Sequence, residues 1–297
     1  MKSARPQLPA LSQHLVDMAV RAALDEDLGL AGDITTNAIV SPSARAKAVI
    51  AARKPGVVSG LALAEAAFRA VGPDTSFSID IDDGEAVTPG AIIARVSGNA
   101  RTLLSAERVA LNFMGRMSGI ATLTRRYVDA AAGTKAKIVD TRKTAPGLRA
   151  FEKYAVRCGG GHNHRVGLFD AVLIKDNHIV AAGSVKAAIA AATASAGHMT
   201  KIEVEVDTLA QLEIVMREKV DCVLLDNMKP AELAKAVKIV AGRCLTEASG
   251  GVSLDTVHDI AATGVDLISV GALTHSAPVL DLGLDFVASP KQAAIQA

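Results

Sequence analysis

Residues 202–225 read IEVEVDTLAQLEIVMREKVDCVLL, and their pattern decides the architecture of most of the chain. A short apolar, β-branched run is followed by a longer stretch with helical spacing and then by a second apolar run. This pattern predicts a strand at Ile202–Val206, a helix at Leu209–Glu218 and a strand at Cys222–Leu225. Because such strands have apolar residues on both faces, they indicate a parallel sheet that is covered by helices.

The same unit repeats from Lys135 onward, and successive late strands begin roughly 20 to 30 residues apart. A β/α barrel, or most of one, fits this repeat better than an open sheet, because no G-x-G-x-x-G turn follows the first strand. Pro230 and Ser253 stand where helix N termini favour them. Further strands are predicted at Ala136–Asp140, Ala171–Ile174, Cys244–Ala248 and Leu267–Val270, and further helices at Ser184–Ala196, Pro230–Val240 and Leu254–Ala262.

The first third of the chain has a different pattern. Leu11–Leu24 has the spacing of an amphipathic helix, whereas residues 46–58 and 76–96 look like antiparallel strands that are broken by glycine-containing turns. Ser105–Ala132 is predicted to form one long helix, or two helices broken near Gly115–Gly119. We therefore predict an α/β protein with an N-terminal α+β sandwich domain at residues 1–115 and a β/α barrel at residues 116–275. A tail of about residues 276–297 is expected to pack back on the first domain.

Composition limits the class of protein. The chain has 297 residues and a formal net charge of +1, so it lacks the basic excess of nucleic-acid or membrane surfaces, and we expect neither partner. Residues 1–9 contain two basic residues but no apolar core follows, so no secretory signal is predicted. The three cysteines have no metal-binding spacing and resemble buried thiols of a reducing compartment. These features predict a cytoplasmic globular protein.

Charged residues follow the predicted strands in a particular order. In a β/α barrel the catalytic groups lie at the carboxyl ends of the strands and in the loops after them. Basic residues come first, at Arg142, Lys143 and Lys175, and the acidic residues Glu205 and Asp226 follow. This order predicts a site for a polyanionic substrate, and the alternative is that solvated loop ends simply carry charge.

The segment RCGGGHNHR, residues 157–165, is the most unusual one in the chain. Three consecutive glycines favour a backbone that flexes or approaches another group closely. We interpret the segment as a mobile loop that places His164 and Arg165 over an anion. A metal site at His162 and His164 lacks a third ligand of recognisable spacing, and a structural glycine turn is the remaining alternative.

Two late turns have the composition of a phosphate site. Ser249, Gly250 and Gly251 precede a predicted helix, and Gly271 and Ala272 follow the last strand, so backbone amides are available there. Glu205 and Asp226 end consecutive strands and can hold Mg²⁺ through oxygen ligands. Alternatively, these carboxylates form structural ion pairs with Arg142 or Lys175.

Taken together, the motifs resemble those of the quinolinate phosphoribosyltransferase family. The resemblance spans roughly residues 26–286 and its motifs are long. They are EDLGLAGDITT (26–36), RKPGVVSG (53–60), ERVALNFMGRMSGIAT (107–122), TRKTAPGLR (141–149), GGGHNHRVGL (159–168), IKDNH (174–178), EVEV (203–206), LLDNM (224–228) and EASGG (247–251).

This resemblance implies a reaction in which quinolinate and 5-phosphoribosyl 1-diphosphate give nicotinate mononucleotide, diphosphate and CO₂ with Mg²⁺. It also implies a homodimer with a shared active site, in which Arg108 reaches into the neighbour's site. The family's roles place Arg142, Lys143, His164, Arg165 and Lys175 around the carboxylates and the diphosphate. Glu205 and Asp226 then face the ribose and the metal, Thr141 lies with the substrate-binding groups, and Ser249–Gly251 and Val270–Ala272 hold the 5-phosphate.

The chemistry of the residues agrees with this reaction, since quinolinate is a dianion and arginine binds carboxylate and phosphate through two parallel hydrogen bonds. Lys143, Lys175 or water supplies the proton that replaces CO₂, and the sequence does not choose among them. One alternative function is a related phosphoribosyltransferase acting on nicotinate or another pyridine-like anion, which needs fewer cations. Another is a barrel-shaped binding protein without turnover.

Overall fold

The protein is described by a computed structural model that covers Leu8 and residues 10–287. Most of residues 1–9, where no secretory signal is predicted, and residues 288–297 of the predicted tail lie outside these described residues. The described chain divides into two compact units. Unit 1 comprises the residues up to 123, residues 146–160 and those from 277 onward, and unit 2 comprises residues 124–145 and 161–276. Residues 116–123 and 146–160, predicted as part of the barrel domain, therefore belong to unit 1.

The secondary-structure elements are numbered along the chain. The helices are α1 (Gln13–Leu28), α2 (Ile34–Ile39), α3 (Leu61–Val71), α4 (Ala100–Ala130), α5 (Arg149–Cys158), α6 (Asp176–Ala182), α7 (Val185–Ser195), α8 (Leu209–Val215), α9 (Pro230–Val240), α10 (Val257–Ala262) and α11 (Ala272–His275). The strands are β1 (Arg45–Ala52), β2 (Gly56–Val57), β3 (Ser76–Ile79), β4 (Ala86–Val87), β5 (Ile92–Asn99), β6 (Lys137–Val139), β7 (Val172–Ile174), β8 (Ile202–Val206), β9 (Cys222–Asp226), β10 (Leu245–Ser249), β11 (Leu267–Ser269) and β12 (Leu282–Phe286).

Unit 1 is built on a four-stranded antiparallel sheet with the order β12-β1-β5-β3, and β2 and β4 form a separate short ribbon. The last strand, β12, pairs along β1 from Ala48↔Phe286 to Ala52↔Leu282. Helix α3 buries most of its residues, including Phe68. The sequence did not predict α3, because its eleven residues are mostly apolar and only Glu65 and Arg69 are charged, which leaves a weak helical period.

Helix α4 runs without a break for 31 residues, so the first of the two predicted alternatives is confirmed. The glycines of α4 do not kink the helix, and instead allow another segment of the chain to pack closely against it. A Cβ atom at Gly119 would lie 2.0 Å from the carbonyl oxygen of Pro278, and one at Gly115 would lie 3.0 Å from that of Leu280. The backbone amide of Leu280 also donates a hydrogen bond of 2.9 Å to the Gly115 carbonyl. Glycine is therefore needed here so that the chain before β12 can lie against the helix.

Unit 2 contains a six-stranded parallel sheet with the order β6-β11-β10-β9-β8-β7. Its strands begin and end within two residues of the predicted ones. Along this order the chain winds in one direction, as in a barrel, but β6 and β7 are not paired with each other within the part of the chain that the structure describes. On the free side of β6, Val139 forms an isolated bridge with His162. The prediction of most of a β/α barrel is thus confirmed.

Two predicted boundaries in unit 2 need comment. Helix α9 begins with Pro230 at its first position, as predicted. The helix expected near Ser253 begins only at Val257, because Ser253 starts a turn in which its carbonyl accepts hydrogen bonds from the backbone amides of Thr256 and Val257.

No single helix within the described ranges is long and apolar enough to span a membrane, although α6 and α7 reach that length and composition together across a 92° bend.

Candidate active site

A cavity of about 440 Å³ lies at the carboxyl ends of the parallel strands in unit 2. Strand alternation explains its lining, because residues two apart on a strand point to the same face of the sheet. Glu205 follows Glu203 on one face of β8, and Ser249 follows Glu247 on one face of β10. The cavity is lined by Thr141, Arg142, Lys143, His164, Arg165, Leu173, Lys175, Glu205, Leu224, Asp226, Glu247, Ser249 and Ser269.

Lys175 immediately follows β7 and forms an ion pair with Glu205 at the end of β8. The amide of Lys175 donates a hydrogen bond of 2.9 Å to Nδ1 of His178, so the histidine of the IKDNH motif holds the backbone of the turn. The predicted alternative of a structural pair between Glu205 and Lys175 is therefore present in this structure. Both groups still line the cavity, where an incoming anion can compete for the ammonium group.

Asp140 organises the segment that carries His164. This carboxylate is fully buried at the end of β6, accepts the backbone amide of His164 at 2.9 Å and accepts the side-chain amide of Asn163 at 2.6 Å. The interpretation of residues 157–165 as one loop is only partly right, since Arg157 and Cys158 end helix α5 and His162 is tied to β6. Sequence reasoning noted Asp140 as a strand end but missed its role in positioning.

The ring of His164 has a defined tautomer. Its Nδ1 accepts the backbone amide of Arg165 at 2.7 Å, and its Nε2 lies 3.0 Å from a carboxylate oxygen of Glu203. Because Nδ1 accepts a hydrogen bond, Nε2 must carry the proton and the ring is neutral. His164 thus lies at the cavity wall as a neutral ring bound to Glu203, rather than as a free cation.

The two arginines of the cavity concentrate positive charge. The Arg165 guanidinium donates a hydrogen bond of 3.0 Å to the carbonyl of Ala171, which orients it. Burial lowers the pKa of Arg165, and the neighbouring Arg142 lowers it further. Like charges brought together in this way are costly until an anion binds between them, so the arrangement favours a carboxylate or phosphate ligand.

The turns after β9 and β10 pack on each other at the rim. A Cβ atom at Gly250 would lie 2.1 Å from Oδ1 of Asn227 and 2.9 Å from its backbone nitrogen, and Gly250 has a φ of +88°. The Asn227 amide donates a hydrogen bond to the Ser249 carbonyl at 2.9 Å. These contacts explain why glycine follows Ser249. Gly271 packs against the side chain of Lys143, since a Cβ atom at Gly271 would lie 3.1 Å from the Lys143 Cδ.

The structure brings most of the predicted site residues of the barrel to one cavity. Four lining residues were not predicted as site residues, namely Leu173, Leu224, Glu247 and Ser269. Strand alternation places them inward, and two of them belong to quoted motifs, Leu224 to LLDNM and Glu247 to EASGG, without a role assigned to them. Arg108 lies in helix α4, within unit 1. The predicted residues that line the cavity are Thr141, Arg142, Lys143, His164, Arg165, Lys175, Glu205, Asp226 and Ser249, and those that do not line it are Gly250, Gly251, Val270, Gly271 and Ala272.

Two groups of residues can be compared as metal ligands. Glu205 and Asp226 bring carboxylate oxygens to the same cavity, and an oxygen donor set of this kind fits Mg²⁺. A second group, His164, Glu203 and Glu247, has its ligand atoms within 4.8 Å of one another. His162 does not belong to that group, so the predicted alternative of a metal at His162 and His164 gains no support from the described residues.

Comparison with known proteins places these features in a family. Residues 33–118 match the family model for the N-terminal domain of quinolinate phosphoribosyl transferase, and residues 120–285 match that for its C-terminal domain. The chain is 47% identical over 276 residues to a nicotinate-nucleotide pyrophosphorylase (carboxylating) of Mycobacterium leprae, covering 90% of this chain and 95% of that protein. It is 42% identical to a probable enzyme of the same name from Bacillus subtilis, covering 89% and 91%. The crystal structure of NadC from Streptococcus pyogenes is similar with a TM-score of 0.90 at 41% identity, covering 94% of this chain and all of that one.

Proposed function

The chain belongs to the quinolinate phosphoribosyltransferase family, and on this premise we propose how its barrel cavity performs the family reaction. The enzyme transfers the phosphoribosyl group of 5-phosphoribosyl 1-diphosphate to quinolinate with decarboxylation, in the biosynthesis of NAD. The observation that carries the proposal for the site is the convergence of Arg142, Lys143, Arg165 and Lys175 on one cavity of about 440 Å³. Four cations in one cavity suit a dianionic pyridine and a diphosphate.

The first half of the reaction is a substitution at the ribosyl carbon. The bond from this carbon to the diphosphate oxygen breaks with its electrons going to the leaving group, and the pyridine nitrogen forms the new bond. Positive charge develops on the ribose while negative charge grows on the diphosphate. Arg142, Lys143 and Lys175 stabilise the leaving group electrostatically, and no covalent nucleophile of the protein is needed.

The second half is loss of CO₂. The bond to the 2-carboxylate breaks and leaves its electron pair on the ring carbon beside the positively charged nitrogen. A proton must then reach this carbon. We assign the proton transfer to Lys143 or Lys175, the catalytic residues of the proposal, because both carry ammonium groups on the cavity wall.

The remaining predicted residues bind and orient the substrates. Glu205 and Asp226 would hold Mg²⁺ and face the ribose hydroxyls, and the ion supplies neutralisation of the diphosphate charge when bound. The turns at Ser249–Gly251 and Val270–Ala272 would hold the 5-phosphate through hydroxyl and amide donors, and Thr141 would take part in substrate binding. Each of these assignments follows the family resemblance and the position of the residue at the carboxyl end of a strand.

A homodimer and a cytoplasmic location complete the proposal. In the dimer, Arg108 of the neighbouring subunit joins the cations of the barrel and completes a shared site. The cytoplasmic assignment is supported by the three cysteines, which are free thiols. The substrates are small molecules, and the formal net charge of +1 favours neither a nucleic acid nor a membrane as a partner.

The proposed function is tested by the release of CO₂. Purified protein is incubated with Mg²⁺, 5-phosphoribosyl 1-diphosphate and quinolinate labelled in its 2-carboxylate, and both labelled CO₂ and nicotinate mononucleotide are measured. Nicotinate is the control substrate. We expect one CO₂ for each mononucleotide with quinolinate, whereas mononucleotide formation from nicotinate alone would contradict the proposal and favour the related enzyme that acts on nicotinate.

A further inference from the structure

Two buried carboxylates lie in the barrel interior beneath the cavity. Glu203 and Glu247 are 8% and 1% exposed, and one strand repeat separates them from Glu205 and Ser249 above. The interiors of β/α barrels are usually filled by branched apolar side chains, and a buried carboxylate is costly unless it is paired or protonated. One carboxylate oxygen of each residue, Oε1, is buried without a hydrogen-bond partner.

His164 connects the two carboxylates. Its Nε2 is 3.0 Å from Oε2 of Glu203 and 3.6 Å from Oε1 of Glu247. A metal ion bound through Nε2 would require the proton to sit on Nδ1, since a metal-bound histidine donates its other N–H. Here Nδ1 faces the backbone amide of Arg165 at 2.7 Å and must accept. The geometry therefore favours a proton on Nε2 over a metal ion.

Because the ring of His164 is neutral, it carries no positive charge to balance the carboxylates of Glu203 and Glu247. If both carboxylates were ionised, two negative charges would lie within 4.8 Å of each other in a buried site, where Arg165 is a neighbouring cation of Glu203. Burial, and after it the Glu203 carboxylate, raise the pKa of Glu247 to about 7, and His164 would oppose this rise only if it were positively charged. Asp140 acts in the same direction as Glu203, and Ser269 stabilises the ionised form through a hydrogen bond. Cys222, on the intervening strand, has its pKa raised by burial and by both carboxylates, so it stays a neutral thiol.

We propose that Glu247 is held as a neutral carboxylic acid beneath the substrate cavity, where it is a positioning residue that leaves Glu203 alone as the anion that binds His164. Glu247 lines the cavity at the carboxyl ends of the strands and also a second cavity, of about 530 Å³, at their amino ends. His164 and Arg165 line both cavities as well. Glu247 thus belongs to the wall between the two.

The consequence for the reaction concerns the binding of the dianion. A neutral Glu247 leaves the positive potential of Arg142, Arg165 and Lys175 available to the quinolinate carboxylates. An ionised Glu247 adds a negative charge to the same wall and opposes binding. This inference rests on the proposed function, because it uses quinolinate as the ligand. The affinity for quinolinate should therefore fall at alkaline pH, before the lysines titrate.

The test compares the wild type with E247Q, whose amide has the shape of the neutral acid and cannot ionise. KM for quinolinate and kcat are measured from pH 6 to 8.5 at saturating 5-phosphoribosyl 1-diphosphate and Mg²⁺. In the wild type we expect KM to rise by about tenfold over this range, and in E247Q we expect the rise to fall to within about twofold. An equal rise in both proteins, or no rise in the wild type, would overturn the inference.

A second variant and a spectroscopic measurement separate this inference from the proposed function. In E203Q the repulsion from the second carboxylate is removed, so the rise in KM should move to lower pH; an unchanged position would also count against the inference. Infrared difference spectra between wild type and E247Q should contain the band of a protonated carboxyl group at pH 6. Absence of this band in a folded protein that releases CO₂ would refute the neutral acid alone. Failure to use quinolinate at all, with the band present, would refute the proposed function instead.

Discussion

Replacement of Gly119 by alanine tests the role of the glycines in helix α4. In a helix interior, alanine is normally more favourable than glycine by about 1 kcal/mol, so propensity alone predicts a more stable protein. The structure predicts the opposite. The new Cβ atom would lie 2.0 Å from the Pro278 carbonyl oxygen, 3.0 Å from its carbonyl carbon and 3.2 Å from the Val279 Cα.

The expected size follows from what must move. All three near atoms belong to the backbone, so no side-chain rotation relieves the overlap, and the chain before β12 must shift by roughly 1 Å or more to restore normal contact. Overpacking of this kind costs about 1–3 kcal/mol. A shift also weakens the hydrogen bond from the Leu280 amide to the Gly115 carbonyl, which contributes about 1 kcal/mol. After the gain in helix propensity, we expect a net loss of about 1–3 kcal/mol in the free energy of unfolding.

Urea unfolding followed by circular dichroism measures this loss, since the chain contains no tryptophan for fluorescence. Protein concentration is held constant, because dissociation of a dimer would otherwise change the apparent stability. Gly115→Ala is the matched control. Its Cβ would lie 2.9 Å from a flexible Val279 methyl group and 3.0 Å from the Leu280 carbonyl oxygen, so its loss should be smaller. Gly119→Ala protein as stable as the wild type, or more stable, would refute the packing argument.

Other predictions concern the site. Arg142→Ala and Lys175→Ala should each lower kcat/KM by at least about a hundredfold, which is the usual effect of removing a group that stabilises transition-state charge, while the circular dichroism spectrum stays unchanged. Near-normal rates in both variants would contradict an active site at the carboxyl ends of the barrel strands. Arg108→Ala protein mixed with Lys175→Ala protein should recover about a quarter of wild-type activity through mixed dimers, and no recovery after verified subunit exchange would argue against a shared site. Asp226→Asn should raise the Mg²⁺ concentration needed for half-maximal activity, and an unchanged requirement would contradict its role as a ligand. Glu247 has a folded-state pKa raised from 4.5 to about 7, so its contribution to stability is present below pH 4.5 and is lost as the pH rises through 7; the wild type should lose about 3 kcal/mol more than E247Q between these pH values in urea unfolding, and parallel curves would contradict the shift.

The sequence predicted the barrel strands within two residues because each is a short β-branched run bounded by turn residues. The chemistry at their ends was equally visible, since Lys175 and Asp226 directly follow two of those runs and Arg142 comes two residues after another. Helix α3 and helix α5 were not predicted. The first is nearly all apolar, and the last two residues of the second, Arg157 and Cys158, belong to the segment 157–165 that was interpreted as a mobile loop.

What the sequence by itself determined is the order of strands and helices and the set of charged side chains that must meet at one end of a parallel sheet. These follow from local periodicity and from the alternation of side chains along a strand, both of which are properties of neighbouring residues. The tertiary structure alone decided the pairing of Lys175 with Glu205, the neutral tautomer of His164 and the burial of Glu247. Protonation and ion pairing depend on the distance between groups far apart in the chain and on their exclusion from water, and neither quantity is written in local sequence.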